Sequence, residues 1–63
     1  MIDNKKRILK ELDRHKLNSN IIRVIIDNIK TYDESCEFLN YLILNRNILL
    51  SKYEIVYNLK KIV

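Results

Sequence analysis

Glycine, proline, tryptophan, alanine and glutamine are absent from this sequence, and cysteine, histidine, phenylalanine and methionine occur once each. Each gap removes something. Glycine-rich phosphate loops and dinucleotide folds need glycine where the backbone approaches its ligand or takes a positive φ, so neither is expected. The lone Cys36 cannot close an internal disulfide, and Cys36 with His15 falls short of the tetrahedral ligand set of a structural zinc. No apolar run approaches the ~18 residues of a membrane span. Lys5, Lys6 and Arg7 are followed only by Ile8 and Leu9 before charge returns, which makes no signal-peptide core. A single free thiol suits a reducing compartment. The expectation is a cytoplasmic protein that does not engage a membrane.

What is present is apolar and basic. The 63 residues, 48% of them hydrophobic, form one domain over 1–63. A chain this short buries only about 60% of the surface its unfolded form exposes. With no disulfide or metal, its stability must come from the apolar residues or from association. The surfeit of Ile, Asn, Lys and Tyr is the mark of AT-rich coding DNA, as in low-GC bacteria, their phages and other mobile elements. It speaks to origin, not to function. The net charge is +4 but unevenly spread. Residues 1–16 hold six Lys/Arg against three acids, residues 27–37 four acids against one Lys, and residues 38–63 four Lys/Arg against one acid. Such a surface permits nucleic-acid contact without demanding it.

The apolar periodicity predicts an all-α fold, a compact bundle of three or four short helices, with asparagine supplying the turns and left-handed positions that glycine and proline usually mark. A first segment over 4–16 carries Ile8, Leu9 and Leu12 on a narrow stripe. The second opens on Asn18 as N-cap, with Leu17 and Ile22 as a hydrophobic staple. Its residues Ile21, Ile22, Ile25, Ile26, Ile29 and Tyr32 share an arc of roughly 140°, and only Val24 strays. The β-branched run over 21–26 would also suit a strand. Helix is favoured because the stripe continues to Tyr32 and no second strand exists to pair with it. The third segment begins near Asp33, where Thr31 and Glu34 have capping-box spacing, and runs to Asn45 with Cys36, Phe38, Leu39, Leu42 and Ile43 inward. The fourth opens on Ser51 and Glu54, again a capping box, with Leu50 and Ile55 as staple. Its inner face is Ile55, Val56, Leu59 and Ile62.

No residue pattern argues for catalysis. His15 lies between Arg14 and Lys16, which oppose its protonation, and reads as a solvated histidine. Cys36 sits on an apolar face beside Glu37 and reads as a packing cysteine, because a reactive thiolate wants an electropositive setting. Asp33, Glu34 and Glu37 suit the positive end of a helix dipole. A bundle of this size also leaves little room for a pocket. The protein is therefore expected not to be an enzyme, and to use no cofactor, metal or small-molecule substrate.

Surface contact is the better prospect. Lys6, Lys10 and Arg14 recur every four residues with Arg7 beside them, a basic ridge opposite Ile8 and Leu12 that could follow a phosphate backbone or an acidic partner. Glu11 and Asp13 on its flanks dilute that field. Tyr53 and Tyr57 are four apart on the fourth segment, outside its apolar stripe and close to Lys60 and Lys61, a grouping favoured at interfaces. Val24, Tyr41, Leu44 and Ile48 are left over once each segment has one buried stripe, and such surplus marks either a wrapped third segment or a second chain.

Residues 38–59, Phe-Leu-Asn-Tyr-Leu-Ile-Leu-Asn-Arg-Asn-Ile-Leu-Leu-Ser-Lys-Tyr-Glu-Ile-Val-Tyr-Asn-Leu, resemble the first two helices of a winged-helix DNA-binding domain. There a Leu-rich helix, a short turn, an apolar pair, a Ser cap and a Glu-Ile/Leu helix follow one another. The resemblance implies DNA binding, though the recognition helix and β wing that come next in that family do not follow before Val63. It assigns no functional residue here. Two functions are thus expected to compete. The leading one is a small protein-binding regulator, an adaptor or inhibitor docking through Tyr41, Leu44, Tyr53, Tyr57, Lys60 and Lys61 and pairing with itself as a homodimer. The other is a helix-turn-helix-type transcriptional regulator with the ridge, or the start of the fourth segment, on nucleic acid. A continuous basic face would favour DNA, and an apolar patch rimmed by charge would favour protein.

Overall fold

A computed structural model describes residues 2–63, with side chains from Asn4 onward. It is all-α: α1 spans Ile2–Leu12, a short 3-10 turn covers Asp13–His15, α2 spans Ser19–Asp27, α3 Tyr32–Leu44 and α4 Lys52–Ile62. The helices touch in a closed ring: α1 packs along α3, α3 meets α4, and α2 closes the bundle by touching both α1 and α4. One core unites Ile8 and Leu12 of α1, Ile25 and Ile26 of α2, Phe38, Leu39 and Leu42 of α3, and Ile55 and Leu59 of α4, with Ile29 and Leu50 from the turns.

α1 is shorter than its periodicity suggests. Ile8 and Leu12, one turn apart, are buried, but Leu9 sits at the edge of the stripe and stays partly exposed. Beyond Leu12 the backbone tightens, and Lys16 turns left-handed at φ 56° and ψ 40°. A side chain with a Cβ costs about 1–2 kcal/mol in that conformation. Asparagine was the expected occupant of such positions, yet Lys16 alone takes a positive φ among the described residues. The asparagines instead end helices with their side chains. Asn18 Oδ1 accepts the Ile21 N–H at 2.9 Å, while the Asn28 and Asn45 amides donate to the Val24 and Tyr41 carbonyls four residues back, at 2.8 and 2.9 Å.

The run 21–26 is helix, because only a helix buries Ile25 and Ile26 together while Val24 faces out. Tyr32 departs from the arc drawn for that segment. α2 ends at Asp27, the chain turns through Ile29, and Tyr32 becomes the first, exposed residue of α3. Both predicted capping boxes form. Thr31 Oγ accepts the Glu34 N–H at 3.1 Å and Glu34 Oε1 accepts the Thr31 N–H at 3.1 Å, so α3 starts one residue before Asp33. Ser51 and Glu54 make the same exchange at 3.2 Å each way, with the staple residues Leu50 and Ile55 buried beneath.

On α3 the inward face is Ser35, Phe38, Leu39 and Leu42. Cys36 is only half-buried and Ile43 is partly exposed, contrary to their expected inward placement. The reason is the line along which α1 crosses α3. Asn4 comes down on Ser35, its Nδ2 donating to Ser35 Oγ at 3.1 Å and to Cys36 Sγ at 3.2 Å, while Ser35 Oγ donates to the Tyr32 carbonyl at 2.6 Å. A small hydroxyl fits under the crossing, and the thiol is left at its margin.

Candidate functional site

The stripe of α1 that faces α3 includes polar residues at the apolar spacing: Asn4, Glu11 and His15 are buried with Ile8 and Leu12. Glu11 dilutes the basic ridge at Arg14, as expected, but it does not do so as an exposed flanking charge. It is turned inward, where its carboxylate takes both ends of the Arg46 guanidinium from the turn after α3, with Arg14 Nε 3.2 Å from Oε1. A bidentate pair of this kind fixes geometry as well as charge. The Arg46 hydrogen bond holds the Glu11 carboxyl below its ordinary range against the opposing effect of burial, and the charges of Arg46 and Arg14 add to the lowering. Glu11 in turn raises Arg46.

His15 is likewise not solvated. It is 3% exposed and its Nδ1 accepts the Leu50 N–H at 3.1 Å, which ties the end of α1 to the residue before the α4 cap. A backbone N–H can only donate, so Nδ1 is the unprotonated nitrogen and Nε2 carries the ring proton. Nε2 is buried and has no hydrogen-bond partner among the described residues. The flanking cations that suggested exposure do project outward, since Arg14 and Lys16 are both exposed, but the 3-10 turn rolls the ring between them under Leu50.

The basic ridge is exposed along its length at Lys6, Arg7, Lys10 and Arg14. Arg14 is partly neutralised by Glu11. The ridge belongs to α1, whereas Lys52, Lys60 and Lys61 belong to α4, and these two helices do not pack on each other. Where the chain after α1 meets the start of α4, Lys16 and Lys52 nonetheless line one groove.

α4 carries the most distinctive surface. Tyr53 and Tyr57 are 75% and 61% exposed, one turn apart on its outer side. With Lys52, Val56 and Lys60 they line a shallow hollow of about 380 Å³. The Lys61 ammonium lies 4.4 Å from the centre of the Tyr57 ring and the Lys52 ammonium 5.2 Å from that of Tyr53, within cation–π range. Glu54, the acid of this helix, is committed to the Ser51 N–H. No salt bridge engages Lys52, Lys60 or Lys61 among the described residues.

Tyr41 and Leu44 are not part of that surface. The Tyr41 ring leans on Phe38, centroids 6.0 Å apart, and its hydroxyl accepts from Asn58 Nδ2 at 3.1 Å, so it links α3 to α4; burial raises its phenol above the ordinary value. Leu44 is 75% exposed at the end of α3, and Ile48 and Leu49 in the following turn are also exposed. The Glu11–Arg46 clamp, the His15–Leu50 link and the Asn4–Ser35 contact are the polar interactions the sequence reading missed. Their signal was present in the spacing, since 4, 8, 11, 12 and 15 fall on one helical face.

No three of the described His, Cys, Asp and Glu residues gather as a metal site, and no described helix is long and apolar enough to cross a membrane. No protein-family model matches this sequence, and neither a curated protein nor a solved structure is significantly similar to it.

Proposed function

We propose that this chain is a small cytoplasmic protein-binding regulator, not an enzyme, that docks an acidic protein surface on the outer side of α4. The observation that carries this reading is the pair Tyr53 and Tyr57, exposed one turn apart and bracketed by three lysines without acidic partners among the described residues. Aromatic rings with polar tips supply contact area at low entropic cost, and lysines around them select a partner of opposite charge. The occupant is thus an acidic surface with an apolar centre that fills the hollow over Val56. The apolar hollow at the centre of this surface, rimmed by lysines, supports this reading over the helix-turn-helix alternative, which asks for one continuous basic face.

The test places a photo-crosslinking residue at Tyr57 in the native host and, as a control, at Asp33 on α3. A protein captured from position 57 alone is then purified and titrated with wild type and with the Tyr53→Ala/Tyr57→Ala double variant. Loss of two aromatic anchors is expected to weaken binding at least about tenfold. Equal binding by the double variant overturns the assignment. So does salt-sensitive binding of duplex DNA that is lost in Lys60→Glu/Lys61→Glu.

A further inference from the structure

We propose, resting on the docking surface assigned to α4, that its tyrosine face also docks on the outer stripe of α3 in a second copy of this chain, with the two helices antiparallel. α3 is the acidic helix of the bundle, carrying Asp33, Glu34 and Glu37 and no lysine or arginine. Glu34 is taken up by the Thr31 cap, but Asp33 and Glu37 are exposed and make no salt bridge among the described residues. At about 100° per residue Asp33, Glu37, Asn40 and Leu44 fall on one stripe, opposite the buried Ser35, Phe38, Leu39 and Leu42. All four are exposed. The stripe is therefore acidic at its start and apolar at its end.

α4 has the complementary order along Tyr53, Tyr57 and Lys60. Its start is aromatic, its end is basic, and its acid Glu54 is committed to the Ser51 N–H. Glu37 to Leu44 and Tyr53 to Lys60 span equal lengths of helix, about 10.5 Å each. Laid antiparallel, Lys60 meets Glu37 while Tyr53 covers Leu44, and Tyr57 falls over Asn40, whose amide can bond a phenol. A parallel alignment would set Lys60 on Leu44 and Glu37 on Tyr53, desolvating two charges and pairing neither. Charge thus sets the direction of the contact, and the apolar ends set its register.

One helix laid on another covers less than the ~1,600 Å² of a stable interface. The contact is accordingly weak, and it gives way to a partner whose acidic surface fits better. Until then the second copy shelters Tyr53, Tyr57 and Leu44, apolar residues that a small monomer would leave in water. Release of the α4 face is coupled to dissociation, so the concentration of the chain itself sets how much of that face is free.

A charge swap tests the contact, read by sedimentation equilibrium and by concentration-dependent amide NMR shifts. Wild type is expected to associate, with shifts at Glu37, Leu44, Tyr53 and Lys60 rising together. Glu37→Lys and Lys60→Glu, both at exposed positions, are each expected to weaken association about fivefold. The double variant reverses the pair and is expected to return to within about twofold of wild type. Failure of that rescue overturns the proposal, as does association left unchanged by Tyr53→Ala/Tyr57→Ala. Glu37→Lys keeps the α4 face intact, so a protein captured from Tyr57 should bind this variant at least as tightly as wild type. A wild type that stays monomeric at every concentration yet binds the captured protein removes self-docking alone. Association with rescue, but no captured protein, upholds self-docking and removes only the separate partner.

Discussion

Ser51→Ala separates the two halves of the α4 capping box. Ser51 Oγ accepts the Glu54 N–H and Glu54 Oε1 accepts the Ser51 N–H, each at 3.2 Å. Alanine removes the first bond and keeps the second, since residue 51 retains its backbone N–H. The Glu54 N–H then has to find water at an exposed position, so the cost is that of an ordinary N-cap loss, about 1 kcal/mol. For a domain of this size that is a fall of roughly 4–8 °C in the melting midpoint. Ser51→Gly should cost only a few tenths of a kcal/mol and Ser51→Asp almost nothing, because glycine lets water reach the N–H and aspartate restores the acceptor. Glu54→Gln keeps an acceptor for the Ser51 N–H and should be milder than Glu54→Ala. Thermal and urea unfolding followed by circular dichroism measure all five. An unchanged midpoint in Ser51→Ala, or a glycine variant less stable than the alanine one, would show that the cap geometry does not govern the start of α4.

Three other outcomes are expected. The Arg46 hydrogen bond depresses the folded-state value of Glu11 below the 4.5 of the free group. The ion pair therefore stabilises the fold above that pH, and the contribution is lost as pH falls through the lower, folded value. Urea unfolding at several pH values should show wild type and Glu11→Gln converging in acid, and a constant gap between them would contradict the pairing. Lys16→Gly relieves a left-handed residue at φ 56° and should raise stability by about 0.5–1 kcal/mol after glycine's own entropic cost; destabilisation in urea unfolding would mean that the lysine side chain matters more than its backbone. Leu44, exposed at the end of α3 close to Ile48 and Leu49, is the anchor of the expected self-association. Sedimentation should show wild-type association that rises with concentration and is abolished by Leu44→Asp, and a clean monomer at high concentration would remove the dimer from the reading.

Local chemistry made the helices legible in advance. Asn18, Thr31 with Glu34, and Ser51 with Glu54 act within one turn of chain, so sequence spacing alone specifies their bonds, and α2, α3 and α4 begin where those residues dictate. The apolar stripes of α2 and α4 likewise follow from a helical period that needs no partner to be read. Tertiary structure decided which polar residues the core accepts. Asn4, Glu11 and His15 lie on the same face of the first segment as Ile8 and Leu12, and in isolation that face reads as an interrupted stripe. Burial became affordable only where the fold delivers the matching group from at least 31 residues away: the Ser35 hydroxyl, the Arg46 guanidinium and the Leu50 N–H. The same long-range placement brings the caps of α2 and α4 to one groove. A buried polar group is costly without its partner, and for Asn4, Glu11 and His15 Nδ1 that partner is set by how the helices cross.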